Sequence, residues 1–216
     1  MPKPTTFSLR RATGADATAV AAMHIHAWQV AYRGIVPDAH LDGLDVATRA
    51  ARYDFDATGP GAPETWIAMD GDDVVGFVTV APSRDDDLPG LGEVCAVYVA
   101  PERWRSGAGS ALLAQAESLL GDAGFNEAHL WVLEDNSRAR RFYERAGGAP
   151  DGARKIAEIG GRPLAERLVG IVLGLALAAA VSALRLRSST DGRTAPLRLV
   201  FRPRWWWSST WRSSSI

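Results

Sequence analysis

Hydrophobic and polar positions switch between two periods along this chain, and the switches mark its elements. Phe7 and Leu9 alternate with polar residues over Phe7–Arg10, which predicts a short strand. Val20, Met23, Ala27 and Val30 then recur at spacings of three and four. They predict an amphipathic helix over Ala15–Arg33, with a start signal at Thr13–Asp16. Gly34 stops that helix, Pro37–Asp38 opens a second helical stretch through Leu41 and Leu44, and Arg49–Phe55 is expected to continue as helix. Gly59–Pro63 breaks the pattern. Thr65–Met69 and Val74–Val80 flank an Asp-Gly turn and predict a hairpin. Val94–Val99 is an apolar run rich in β-branched residues, stopped by Pro101, which has no N–H for a ladder. After Gly107 and Gly109, the positions Leu112, Leu113, Ala116, Leu119 and Leu120 have helical spacing, to an end near Ala123. Ala128–Leu133 reads as a strand. A helix starting at Asp135–Asn136 carries Ala139, Phe142, Tyr143 and Ala146 on one face and ends at Gly147–Gly148. Ala153–Ile159 and Leu164–Leu168 form a last predicted hairpin. The order is β-α-α-β-β-β-α-β-α-β-β, an α/β domain with a mixed sheet.

Charge divides the 216 residues unevenly. From Leu168 onward seven arginines face one aspartate, a net +6, so the rest of the chain carries −7. An acidic body gives no reason to expect nucleic-acid binding. The expected organisation is a domain over residues 1–167 and an atypical tail over 168–216. Leu168–Leu184 has 17 residues, apolar or glycine except Ser182, near the lower limit for a membrane helix. Three readings of it stand side by side: a C-terminal anchor, an apolar helix packed on the domain, or a reading-frame accident. The last or an unstructured extension is favoured, since eight serines, seven arginines and four tryptophans resemble nothing in the body. The single cysteine, Cys95, excludes an internal disulfide and is read as a small core residue in a reducing compartment. The N-terminus lacks the apolar stretch of a secretory signal, so a cytoplasmic protein is expected, with anchoring through Leu168–Leu184 as the alternative. His24, His26, His40 and His129 show no ligand spacing, so no metal is expected. Asp85–Asp87 reads as a solvated loop.

Glu93–Leu113 holds the candidate chemistry. A buried strand feeding a glycine turn into a helix N-terminus aims several N–H groups and the positive dipole end at one point, an anion site suited to phosphate. Asn136 and Tyr143 lie seven apart and share a helix face. Read from the residues alone, Asn136 is a helix cap and Tyr143 a core aromatic with a polar tip. Trp28, Tyr32 and Arg33 read as acceptor-pocket lining or as helix packing.

Three motifs then resemble the GNAT family of N-acetyltransferases over about Phe7 to Leu168. Trp104-Arg105-Ser106-Gly107-Ala108-Gly109, followed by Ser110, is similar to the family's phosphate loop, with Trp104 in place of Gln or Arg. Leu130–Asn136 followed by Arg138–Gly147 resembles its second cofactor motif. Ala27–Pro37 resembles its substrate-side helices. The resemblance implies a GNAT fold, a mixed and mostly antiparallel sheet flanked by helices, with strands four and five splayed. It implies acetyl-CoA as co-substrate and a primary amine, small-molecule or peptide, as acceptor. It places the pyrophosphate on Trp104–Ser110, the pantetheine arm along the backbone of Val97, Tyr98 and Val99, and the cofactor also on Asn136. It makes Tyr143 the acid for the leaving sulfur and Glu93 a candidate base. A non-catalytic CoA-binding or membrane-tethered module is the alternative, and a homodimer is left open. Gly148, where the family commonly has an aromatic, is expected to weaken the local packing.

Overall fold

The structure, a computed structural model, describes residues 7–173. The elements run β1 Ser8–Arg11, α1 Ala17–Ala31, α2 Asp38–Asp42, α3 Val46–Ala50, β2 Glu64–Asp70, β3 Asp73–Pro82, β4 Gly92–Val99, α4 Ala108–Asp122, β5 Glu127–Leu133, α5 Ser137–Arg145, β6 Ala149–Ile159 and β7 Arg162–Val172. They build one seven-stranded sheet in the order β1-β2-β3-β4-β5-β7-β6. Every pair is antiparallel except β4 and β5, which the α4 crossover makes parallel. This is the expected α/β architecture. Its two tight hairpins follow from local chemistry. Asp70 pairs Asp73 across Gly71 (φ 63°), and Ile159 pairs Arg162 across Gly160 and Gly161 (φ 59° and 72°). Left-handed backbone at the turn matches the twist of the strands it joins.

One sheet face packs on α4 and α5 through Val78, Val80, Val94, Leu112, Leu113, Leu120, Leu130 and Val132. The other packs on α1 through Val20, Met23, Ile67, Phe77 and Ala96, and on α2 through Leu41, Leu133 and Leu164. The alternation of side chains along each strand sorts residues between the two layers. Glu134 ties the far edge together by pairing with Arg154 and Arg167.

Two expectations need correction. Helix does not continue over Arg49–Phe55: it ends at Ala50, because Phe55 folds into the α1 layer and Tyr53 brings its hydroxyl 2.6 Å from His24 Nδ1. The last strand does not stop at Leu168. It continues to Val172, with Leu168, Val169, Ile171 and Leu173 at most 6% exposed. The first residues of the apolar stretch are therefore sheet core, and residues 174–184 of it lie outside the described residues. Gly148 does line an opening, together with Val132, Arg140, Glu144, Pro150, Arg167 and Val169, although a Cβ added there would lie 2.8 Å from Val169 Cγ1. No helix among the described residues is long and apolar enough to cross a membrane.

Candidate active site

Strands β4 and β5 pair only at Gly92–Ala128 and Glu93–His129. Beyond Glu93 they diverge, while β4 stays zipped to β3 as far as Val99. The register between β3 and β4 skips Cys95, which makes it a bulge in β4. The backbone edge of β4 facing β5 is thus left without a strand partner from Val94 onward. A wedge opens where an extended ligand could lie and hydrogen-bond like an added strand.

The glycine-bearing turn sits at the wide end of the wedge. Val99 leads through a short 3-10 turn, Pro101–Arg103, into Trp104. Trp104 Nε1 donates to the Val99 carbonyl at 3.0 Å, and the Arg138 guanidinium lies 3.4 Å from the centroid of the indole. This residue therefore fastens the loop to both β4 and α5, which explains how Trp serves at this position. Arg105 is left-handed (φ 66°), the one non-glycine residue so placed among the described residues, and Gly107 (φ 95°) caps α4. Gly109 lies under Phe142, whose ring would be 3.4 Å from an added Cβ. The Ala108 N–H meets Ser106 Oγ at 3.4 Å, and those of Gly109 and Ser110 have no acceptor within the first turn of α4. Burial, then repulsion from Arg105 and Arg141, lowers the Arg138 pKa. Arg138, stacked on Trp104, and Arg105 of the loop put positive charge beside the turn that presents these N–H groups. The set fits a polyanionic cofactor such as CoA.

Asn136 caps α5, its Oδ1 accepting from the Ala139 N–H at 3.1 Å, and is 8% exposed. The cap leaves its NH2 group uncommitted to α5. The side chains of Val97 and Val99 pack toward α4, and that of Tyr98 toward α1.

The middle of the wedge holds tyrosines from both layers. Tyr32 and Tyr98 hydroxyls are 3.3 Å apart. Tyr143, from α5, lies close enough to both to perturb them electrostatically. Burial above all raises the pKa of each hydroxyl, so all three stay protonated at neutral pH. Trp28 stands edge-on to Tyr32 at 5.0 Å, under the Arg49 guanidinium at 5.4 Å. Arg33 does not join them. It reaches out to Asp38 (3.2 Å) and Asp42 (2.8 Å) at the surface, because the helix ends before it, so its reading as pocket lining is corrected.

The narrow end is polar. Glu93 is 4% exposed and accepts from the backbone N–H of Arg84 (3.2 Å), from its Nε (2.8 Å) and from its Nη2. Asp85 is not solvated loop: Trp131 Nε1 donates to it at 2.6 Å and His129 Nε2 lies 3.1 Å away. Burial alone would raise the Asp85 carboxyl, but His129, Lys155 and Trp131 outweigh it and hold it at about 2. Cys95 is only partly exposed, and burial pushes its thiol up to about 12. Among the described residues there is no cluster of three or more His, Cys, Asp or Glu that could hold a metal.

One residue escaped the sequence reading. Glu166 of β7 shares a face with Leu164 and Leu168, and its side chain is 19% exposed. It pairs in register with Leu133 of β5 and Lys155 of β6. The single sequence signal was a charge inside an apolar alternation, AlaGluArgLeuVal.

Comparison with known proteins gives the family and the fold. The model of the acetyltransferase (GNAT) family matches residues 26–148, more than half of the chain. The chain belongs to that family. It is 30% identical over 130 residues to an uncharacterized N-acetyltransferase of Bacillus subtilis, covering 60% of this chain and 73% of that protein. It is 45% identical over 81 residues to the mycothiol acetyltransferase of Kocuria rhizophila, covering 37% of this chain but only 26% of that longer protein. In fold it is similar to an N-acetyltransferase of Thermoplasma acidophilum solved with coenzyme A. The TM-score is 0.55 at 17% identity, covering 75% of this chain and 98% of the other.

Proposed function

We propose that the chain transfers the acetyl group of acetyl-CoA to a primary amine by direct attack in a ternary complex. The observation that carries this is the wedge. A phosphate-ready helix end, an unpaired strand edge and buried, protonated tyrosines lie along one path. Acetyl-CoA supplies the activated thioester. The loop from Trp104 to Ser110 holds its pyrophosphate through N–H groups, aided by Arg105 and Arg138, and Asn136 adds a contact. The backbone of Val97–Val99 aligns the pantetheine arm, and an N–H of that strand polarises the carbonyl. Tyr143 protonates the departing sulfur; burial keeps its proton in place until then. Glu93 acts as the anchor of Arg84 and not as the base, since both its oxygens are already engaged. The acceptor is a small metabolite amine or a peptide amine, and the likeness to a mycothiol acetyltransferase puts a mycothiol-type amine on the test panel.

Thiol release from acetyl-CoA across primary amines tests the reading. The wild-type protein is expected to release CoA with at least one of them, and Tyr143→Phe to keep CoA affinity while losing about 10²–10⁴-fold in kcat. An unchanged kcat in that variant excludes the acid role. Calorimetric CoA binding without thiol release on any amine points to a non-catalytic CoA module instead.

A further inference from the structure

We propose that Glu166 is the carboxylate that receives the acceptor's ammonium group and takes its proton, on the wall of the wedge formed by β7. The inference rests on the acetyl-transfer reading and names the base that reading lacks.

Three carboxylates border the wedge, and hydrogen bonding separates them. Asp85 accepts from Trp131 and lies against His129. Glu93 is filled by Arg84. Glu166 has one ion pair, to Lys155 Nζ at 3.7 Å, too long for a hydrogen bond. Its oxygens therefore keep lone pairs for a donor that arrives with the substrate. Its position suits that task. It stands beside Leu133 at the end of β5, in the layer of Leu164, around which Trp28 and Tyr32 pack. It is near enough to Tyr32 and Tyr98 to raise the pKa of both. It shares their side of the wedge, the side on which an acceptor would enter, while Tyr143 reaches in from α5.

The groups that face it are Lys155 from β6, Asp85 from the loop before β4, Glu93 from β4, and Tyr32 and Tyr98. Burial raises the Glu166 pKa, Lys155 opposes that, and Asp85 and Glu93 add to it. A carboxyl lifted in this way is a better proton acceptor near neutral pH than an ordinary one. Lys155, held 4.0 Å from the centroid of Trp131, is the cation that opposes this rise.

The step balances as follows. Glu166 removes one proton from the alkylammonium and later releases it to solvent. The freed nitrogen lone pair forms the C–N bond to the thioester carbonyl. The C–S bond breaks, and the sulfur takes a proton from Tyr143. The second nitrogen proton returns to Tyr143. The products are the N-acetylated amine, CoA thiol and one proton.

The test compares wild type, Glu166→Gln and Glu166→Asp on whichever amine of a panel of spermidine, glucosamine and an alanyl tripeptide the wild type acetylates. Glu166→Gln is expected to bind CoA as the wild type does and to melt within a few degrees of it. Its kcat/KM for the amine should fall by about 10²-fold or more at pH 7. Its residual rate should climb with pH as the amine deprotonates in solution, whereas the wild-type rate should level off once Glu166 is ionised. Glu166→Asp should recover part of the loss. An unchanged kcat/KM and pH profile in Glu166→Gln overturns the role while leaving acetyl transfer intact. A joint loss of CoA binding and melting temperature also overturns it, in favour of a packing role. No acetyl transfer by the wild type removes the function and the base together.

Discussion

Glu93 shows how much a single residue's partners decide. Its place at the start of β4 suggests a base, yet Arg84 occupies both of its oxygens in a pocket where Glu93 is 4% exposed. Glu93→Gln should therefore act on stability: a cost of about 1–3 kcal/mol from a weakened charged hydrogen bond, with kcat held within a few-fold. Calorimetric melting beside steady-state rates checks this, and a collapse of kcat at constant melting temperature would return the base role to Glu93. At this scale the sequence was readable where backbone geometry sets the job. The glycine turn at Gly107 leads into α4 and Asn136 caps α5, as their residue types suggest. It was unreadable where the partner is distant in sequence. Arg84 sits nine residues before Glu93, Asp85 meets residues more than forty positions away, and no local spacing encodes either contact.

Among the elements, α4 governs where the cofactor loop stands. It lies on the sheet at two glycines: a Cβ on Gly76 would meet Leu112 Cδ1 and the Tyr98 carbonyl oxygen, each at 2.9 Å, and one on Gly92 would meet Leu120 Cδ2 at 2.8 Å. Leu112 and Leu120 are eight apart, on one face of the helix. The two sites differ in what must yield. At Gly92 the neighbour is the end of a flexible side chain; at Gly76 it includes backbone. Gly76→Ala should cost about 1–3 kcal/mol and weaken CoA binding by displacing the N-terminus of α4. Gly92→Ala should cost less and leave CoA affinity unaltered. Urea unfolding and CoA calorimetry on the two variants compare them directly, and equal losses would mean that α4 is not seated in this way. Helix α4 itself was legible from its leucine spacing and glycine turn. Its closeness to the sheet was not, because a strand glycine looks the same whether it relieves a contact or only a turn.

For the whole molecule, the decisive element is the end of β7. Leu168, Val169, Ile171 and Leu173 are each at most 6% exposed, and the Leu173 N–H closes on the Asn126 carbonyl at 2.9 Å. Burying each side chain is worth about 1.5–3 kcal/mol, so together they match the whole stability of an ordinary domain, about 5–15 kcal/mol. A chain ended after Arg167 should fail to fold, whereas one ended after Leu173 keeps all four buried side chains and should retain a cooperative melt. Circular dichroism melts of both chains check this, and a stable chain ending at Arg167 would contradict the buried strand. The same four residues change the reading of the tail, since a membrane span of about 20 residues can no longer begin at Leu168.

The sequence by itself determined the element order apart from the separate helix α3, the mixed sheet, the phosphate-ready turn and the likeness to GNAT acetyltransferases. Each of these is written in short-range periodicity, turn chemistry or contiguous motifs. Tertiary structure alone decided that Arg84 fills Glu93, that Trp104 pins the loop between β4 and Arg138, that Tyr32, Tyr98 and Tyr143 converge, and that Glu166 keeps open lone pairs beside them. The reason is the splay of β4 from β5. It brings side chains from both layers of the sheet to one place, and they come from segments up to 134 positions apart in a chain of 216 residues.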